Sequence, residues 1–271
     1  MNNILVRSLT GAVFITLVLF PLFWVDSAII LMFGFFMTLG LIEFFKFFKT
    51  STIIEIRWEI GLFYGLFLFG IVTGISVGIL PFILIVSLLP MLFAVFLTEL
   101  WRKKTQPLLN LSVYVLGILY VAVPFLLMTL FAISDYNKFP LLAGMFLLIW
   151  MNDTFAFLSG KFFGKTKLFE RISPKKTWEG TIGGVIFTLL AALAITFLFD
   201  ENHLVFWIVS AVIIAPCSIL GDLLESLFKR NMGIKDSGNI LPGHGGILDR
   251  FDATLLTVPF FLTWVAIYTY F

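Results

Sequence analysis

The sequence predicts an all-α, polytopic integral membrane protein with about nine transmembrane helices, and three observations carry that expectation. The 271 residues are 60% hydrophobic and only 13% charged, with a mean hydropathy of +1.07, whereas a soluble domain has roughly a quarter of its residues charged. The apolar residues fall in runs close to the ~20 needed to cross a bilayer as a helix, at 5–25, 28–48, 60–79, 81–100, 107–132, 139–159, 179–199, 204–228 and 253–271. With nine spans, every one of the 18 Lys and Arg except Lys138 falls on one side of the membrane. Merging or splitting a central helix would scramble that pattern. Basic loops stay in the cytoplasm, so the N-terminus is expected there and the C-terminus outside.

Along the chain, the first run begins after Arg7 and could pass for a signal peptide. It is followed by Phe20-Pro21-Leu22-Phe23-Trp24 rather than a small-residue cleavage site, so it reads as a retained helix. The second run carries Glu43 near its end, read as interfacial. Only the Leu80-Pro81 break separates the third and fourth runs. Residues 1–138 place polar side chains mainly at helix ends, as a scaffold with dimer or lipid contacts would. Residues 139–271 are expected to form the catalytic region, with cytoplasmic loops 160–178 and 229–252. The single cysteine, Cys217, excludes an intrachain disulfide or a multi-cysteine metal site, and a net charge of +2 gives no reason to expect nucleic acid. His203 lies in a short external turn.

The chemistry concentrates in the second half. In the eighth run Ser218, Asp222, Ser226 and Lys229 share one helical face, with Glu225 beside them. A carboxylate inside a spanning helix costs about 2.5–3.5 kcal/mol and usually faces protein or a water-filled cavity, so Asp222 is a candidate cation ligand. Asp249 and Asp252, spaced i, i+3 at the start of the ninth helix, project to nearly the same side. Acids are also favoured there by the helix dipole alone. With Asp222 they offer hard oxygen ligands suited to Mg²⁺, which is usually held by one or two carboxylates plus phosphates and water. No Cys/His cluster points to zinc.

The turn Pro242-Gly243-His244-Gly245-Gly246 lies near Lys229, Arg230 and Lys235. Its bare backbone could cradle phosphate oxygens or serve only a sharp bend; a Walker loop is absent. A second constellation spans residues 150–180. Asp153 lies inside the sixth helix, and Ser173-Pro174 looks like an N-cap with proline at the first helical position. That would place Lys175 and Lys176 in the first turn of the seventh helix, where cations are unfavourable unless an anion is held. Gly180, Gly183 and Gly184 read as close helix packing. There is no plausible Ser/His/Asp or Cys/His set.

The spaced motif SxxKRxxxxKDxGxxLPxHGGxxDRxD, from Ser226 to Asp252, resembles that of phosphatidate cytidylyltransferases (CDP-diacylglycerol synthases). The upstream segments NDTFAFLSGKFFGK and RISPKKTWEG are similar to bacterial members. The resemblance implies Mg²⁺-dependent transfer of a cytidylyl group from CTP to phosphatidic acid, with pyrophosphate released. It also implies a homodimer in the bacterial cytoplasmic membrane, and metal-binding acids at Asp222 and Asp249. Asp252 and Asp153 are the supporting candidates, and the cofactor is Mg²⁺, alone or with a second cation. Asp222, Asp249, Asp252, Lys229 and Arg230 are then the expected catalytic residues. Lys175, Lys176, Lys235, His244, Gly245 and Gly246 are the expected phosphate-binding ones. Two alternatives are a nucleotidyltransferase for another lipid phosphate and a transporter for an anionic solute. The transporter is disfavoured because the polar residues crowd into one half instead of two inverted repeats.

Overall fold

A computed structural model describes residues 3–23, 26–49, 51, 53–134, 138–199, 203–234, 237–238 and 245–270. The chain is almost wholly helical: α1 (Asn3–Leu19), α2 (Asp26–Phe48), α3 (Trp58–Ser76), α4 (Leu88–Arg102), α5 (Pro107–Gly117), α6 (Val123–Ile133), α7 (Lys138–Phe163), α8 (Trp178–Phe199), α9 (Leu204–Asn231) and α10 (Leu248–Tyr270). One small antiparallel hairpin, β1 (Lys167–Phe169) with β2 (Ser173–Thr177), joins α7 to α8. Among the described residues eight helical segments are long and apolar enough to cross a membrane, and Gly11–Phe23 forms a shorter apolar helix. Large side chains such as Phe82 and Phe197 stay exposed, as expected where lipid rather than water is the solvent. The protein is a multi-pass membrane protein.

Local chemistry explains the interruptions. At the end of α3, Gly78 takes φ +76°. Its N–H bonds the Ile75 carbonyl at 3.0 Å, and the Ile79 N–H reaches back to Gly74 at 2.9 Å. This is a Schellman stop, and it suits glycine because the left-handed conformation has no Cβ penalty there. Pro81 follows, then a 3₁₀ segment, Phe82–Ser87, before α4. Between α5 and α6 the helix widens into a π segment, Ile118–Ala122, just ahead of Pro124. Proline has no N–H and its ring crowds the preceding turn, and a π-bulge relieves that conflict without ending the helix.

The chain divides into two compact units. The first comprises residues 1–136 and 232–250. Its core is built by phenylalanines of α2, including Phe33, Phe44 and Phe45, with Tyr114 and Phe125. The N-terminal helices therefore share a unit with part of the motif segment. The second comprises residues 137–231 and 251–271. Here α8 packs on α7 through glycines: a Cβ on Gly180 would lie 2.7 Å from the Ala156 carbonyl oxygen, and one on Gly184 would lie 2.8 Å from Asn152 Oδ1. Small residues that let backbones approach are the usual means of packing helices in lipid.

Candidate active site

In the second unit α7, β2, α9 and α10 bring a polar group together among apolar helices, with Asp153, Asp222 and Lys176 partly accessible. Asn152 of α7 is fully buried, and its Nδ2 donates to Ser218 Oγ of α9 at 3.2 Å. Ser218 in turn donates to Asp153 Oδ1 at 3.1 Å. One turn along α9, Asp222 Oδ1 accepts from Ser226 Oγ at 3.2 Å, and Asp222 Oδ2 pairs with Lys176 Nζ at 2.7 Å. Lys176 also donates to the Ile219 carbonyl at 3.3 Å. Asp252 of α10 lies within electrostatic reach of Asp222, Glu225 and Asp153. The expected face of α9 is thus present, and the helical spacing is what creates it.

Gly221 brings α9 and α10 into contact. A Cβ there would lie 2.6 Å from the Asp252 carbonyl oxygen and 3.0 Å from Ala253 Cα. Only a residue without a side chain lets the two backbones meet at this level, immediately beside Asp222. Lys229, one of the expected catalytic residues, is buried and paired with Glu225 at 2.8 Å. Arg230 is exposed in the last turn of α9, with its Nε 3.4 Å from the Ile172 carbonyl.

The seventh predicted helix starts later than its sequence suggested. Ser173-Pro174-Lys175-Lys176-Thr177 is strand β2, and α8 begins at Trp178. Thr177 does the capping: its Oγ1 accepts the Gly180 N–H at 3.2 Å. Glu179, in the first turn, accepts the N–H groups of Lys165 and Thr166 at 3.1 Å. The hairpin wins because Pro174 tolerates an extended strand end as readily as a first helical turn, and pairing with Lys167–Phe169 satisfies the backbone. Lys175 and Lys176 are therefore not at a helix N-terminus, and the dipole argument for an anion there lapses. Lys176 is still in the site, through Asp222. Lys175 is exposed on β2.

In the first unit, Asp249 Oδ2 accepts three donors: Ser237 N–H at 3.1 Å, Ser237 Oγ at 3.0 Å and Gly246 N–H at 2.8 Å. The Gly246 N–H is therefore spent on the protein's own carboxylate. Gly245 has φ +79°, and a Cβ there would lie 2.6 Å from Asp249 Oδ2, so this glycine makes a tight bend. Asp249 and Asp252, expected to project together, belong to different units and have different partners. Lys235 and His244 lie outside the described residues.

Glu43 corrects a sequence expectation. It is not interfacial but buried, 4% exposed. Its Oε1 accepts the Ile247 N–H at 2.9 Å, while its Oε2 accepts the Leu248 N–H at 2.9 Å and the Ser237 hydroxyl at 3.3 Å. Its neighbour Lys46 points to the Trp58 ring instead, 5.1 Å from the centroid. The place of Glu43 near the end of the second apolar run is what made it look interfacial. The signal that was available was a carboxylate five residues inside an apolar helix, which rarely occurs without a role.

The second unit's donors are hard oxygens: three aspartates, two serine hydroxyls and Asn152 Oδ1, which is buried with no hydrogen-bond partner. Among the described residues no group of three or more His, Cys, Asp or Glu converges on one point. Mg²⁺ asks for less, since it takes one or two carboxylates and completes its shell with phosphate and water. The set fits a Mg²⁺ held with its substrate, by Asp222 with Asp153 or Asp252.

A model of the cytidylyltransferase family matches residues 5–268. The chain belongs to this family. Among its relatives, the phosphatidate cytidylyltransferase of Haemophilus influenzae is 46% identical over 134 residues, covering 47% of this chain and 46% of that protein. That of Staphylococcus aureus strain COL is 41% identical over 175 residues, covering 64% and 66%. The Staphylococcus haemolyticus protein is 41% identical over 176 residues. The matched stretches thus span from about half to just under two thirds of these curated relatives.

Proposed function

We propose that this cytidylyltransferase acts on phosphatidic acid, converting it with CTP to CDP-diacylglycerol and pyrophosphate in phospholipid biosynthesis. The observation that carries the reading is the family match over residues 5–268. The names of the relatives supply the lipid substrate, and the placement of acids and lysines among membrane helices supports it.

In the proposed reaction a non-bridging oxygen of the lipid phosphate attacks the α-phosphorus of CTP in line. A new P–O bond closes the diphosphate, and the bond to the bridging oxygen of the β-phosphate breaks, leaving pyrophosphate with the electron pair. The nucleophile is already anionic, so no general base is required, and the scarcity of histidine is no obstacle. What the protein contributes is positioning and charge neutralisation. Lys176, which lies within reach of Asp222, the exposed Lys175 and Arg230, and Lys235 and His244 of the motif segment are assigned to phosphate oxygens. Lys229 acts through Glu225. Asp222 and Asp249 are the metal acids the resemblance implies, with Asp153 and Asp252 in support. When bound, Mg²⁺ would neutralise triphosphate oxygens and the departing pyrophosphate.

Four carboxylates in the second unit, Asp153, Asp222, Glu225 and Asp252, face two ammonium groups, Lys176 and Lys229. A divalent cation would offset acids that the two ammonium groups do not pair, which supports a metal-dependent reaction. The basic loops support a site that faces the cytoplasm, where CTP is found, in the inner membrane of a bacterium. The homodimer belongs to the same reading.

The test is direct. Purified protein in nanodiscs, given phosphatidic acid and labelled CTP, should yield CDP-lipid and pyrophosphate in equal amounts, only with Mg²⁺ present. Product from a different lipid phosphate but none from phosphatidic acid would shift the reading to that substrate. No pyrophosphate from any lipid phosphate would end it.

A further inference from the structure

We infer that Glu43, on a helix outside the motif, is a positioning residue that clamps the start of α10 and the turn before it. The first N–H groups of any helix lack partners within the helix. At the start of α10 the Leu248 N–H, with those of Gly246 and Ile247 just before the helix, is met from two sides. Asp249 takes the Gly246 N–H from within the helix, at 2.8 Å. Glu43 takes the Ile247 and Leu248 N–H groups from α2, both at 2.9 Å. Ser237, 12 residues before Asp249, is held by both acids: its hydroxyl lies 3.0 Å from Asp249 Oδ2 and 3.3 Å from Glu43 Oε2.

The arrangement is specific to glutamate. Each carboxylate oxygen accepts a backbone N–H, so glutamine would satisfy one and turn its own NH₂ against the other. Aspartate, one methylene shorter, would withdraw from both. A buried carboxylate costs free energy unless its lone pairs are met by donors, and here three donors and the positive end of a helix meet it. Gly238 and Gly246 leave the room: a Cβ at either would fall within contact distance of the Glu43 carboxylate. With its oxygens so engaged, Glu43 is suited to hold the turn carrying Asp249 rather than to touch substrate.

The activity arm of the test rests on the function proposed above; the exchange arm does not. Full-length parent, E43Q and S237A in nanodiscs are compared by hydrogen–deuterium exchange over residues 237–250 and by steady-state kinetics per folded molecule. E43Q is expected to speed exchange at Ile247 and Leu248 about tenfold. It should also lower kcat for CDP-lipid formation by about ten- to hundredfold, with the KM for CTP changed far less. S237A should move both readouts in the same direction by smaller factors, and it decides the matter alone if E43Q does not fold. Unchanged exchange would overturn the clamp. Faster exchange with unchanged kcat, or a loss confined to the yield of folded protein, would overturn the positioning role. A parent that makes no CDP-lipid would defeat the proposed function, while exchange still decides the clamp.

Discussion

Each unit holds a polar group among apolar helices, and the two groups differ in how their charges are matched. In the first unit Glu99 of α4 is almost fully buried and is met by Arg102 and by Asn110 Nδ2, the latter at 3.0 Å. Arg102 also donates to the Glu55 carbonyl, and to the Tyr114 hydroxyl at 3.2 Å. Asn110 Oδ1 accepts the Glu55 N–H at 2.9 Å, and Tyr114 accepts the Arg57 N–H at 2.9 Å. Glu55 itself pairs with Lys104 at 2.5 Å. Two acids meet two cations, and the short segment before α3 is tied to α4 and α5. In the second unit acids outnumber cations, and Asp222 and Lys176 stay half-exposed. The balanced group has its bonds made internally and works as a fastening. The unbalanced, accessible group keeps acids that its own lysines do not pair, and it is there that the function proposed above puts the substrate.

The largest expected effect breaks the comparison at its centre. Asp222→Asn keeps size and hydrogen bonding to Ser226 but removes a charge. Cytidylyl transfer should fall by about a thousandfold, the scale seen when one preorganised electrostatic contact is removed, with the melting temperature in detergent hardly lowered. Full activity in this variant would place the chemistry elsewhere. Gly221→Val comes next. The added side chain cannot fit 2.6 Å from the Asp252 carbonyl oxygen, so α9 and α10 must separate. Misplacement by about 1 Å can cost a hundredfold in rate. Near-normal kinetics in a folded Gly221→Val protein would mean that the close approach is not needed.

These two sites also show how far the sequence could be read. The helical spacing of Ser218, Asp222 and Ser226 was legible because periodicity alone puts them on one face. The α7–α8 glycines were legible for a similar reason. Gly221 was not, because nothing along α9 tells which helix it faces. The start of α8 was misplaced because Ser-Pro suits both an N-cap and a strand end, and only pairing with Lys167–Phe169 decides between them. Glu43 was misread because its three donors lie about 200 residues away in sequence, where local pattern carries no information. The same holds for Glu99 and Arg102, which along the chain are only a charged helix end.

The balanced group should respond in the opposite way. Glu99→Ala leaves Arg102 buried beside an empty place, and breaking a buried pair costs about 3–5 kcal/mol. The melting temperature should drop clearly, while transfer per folded molecule stays within about twofold of the parent, since this group makes no contact asked of the transition state. A selective loss of kcat without loss of stability would erase the distinction between the two groups.

The smallest effect tests the exposed edge of the fastening. Lys104, then Thr105, hold the Glu55 carboxyl below its ordinary pKa of 4.5. A group whose folded pKa is depressed adds stability above its unfolded pKa and loses it as pH falls through the folded value. The parent should therefore melt slightly earlier as pH drops below about 4.5, and Glu55→Gln should lack that part of the slope. The pair is solvated, so added salt should shrink the difference. Asp222→Asn should leave it untouched, since independent sites contribute additively. A pH slope unchanged by Glu55→Gln would mean that Arg102 and its carbonyl contact alone fasten the segment before α3.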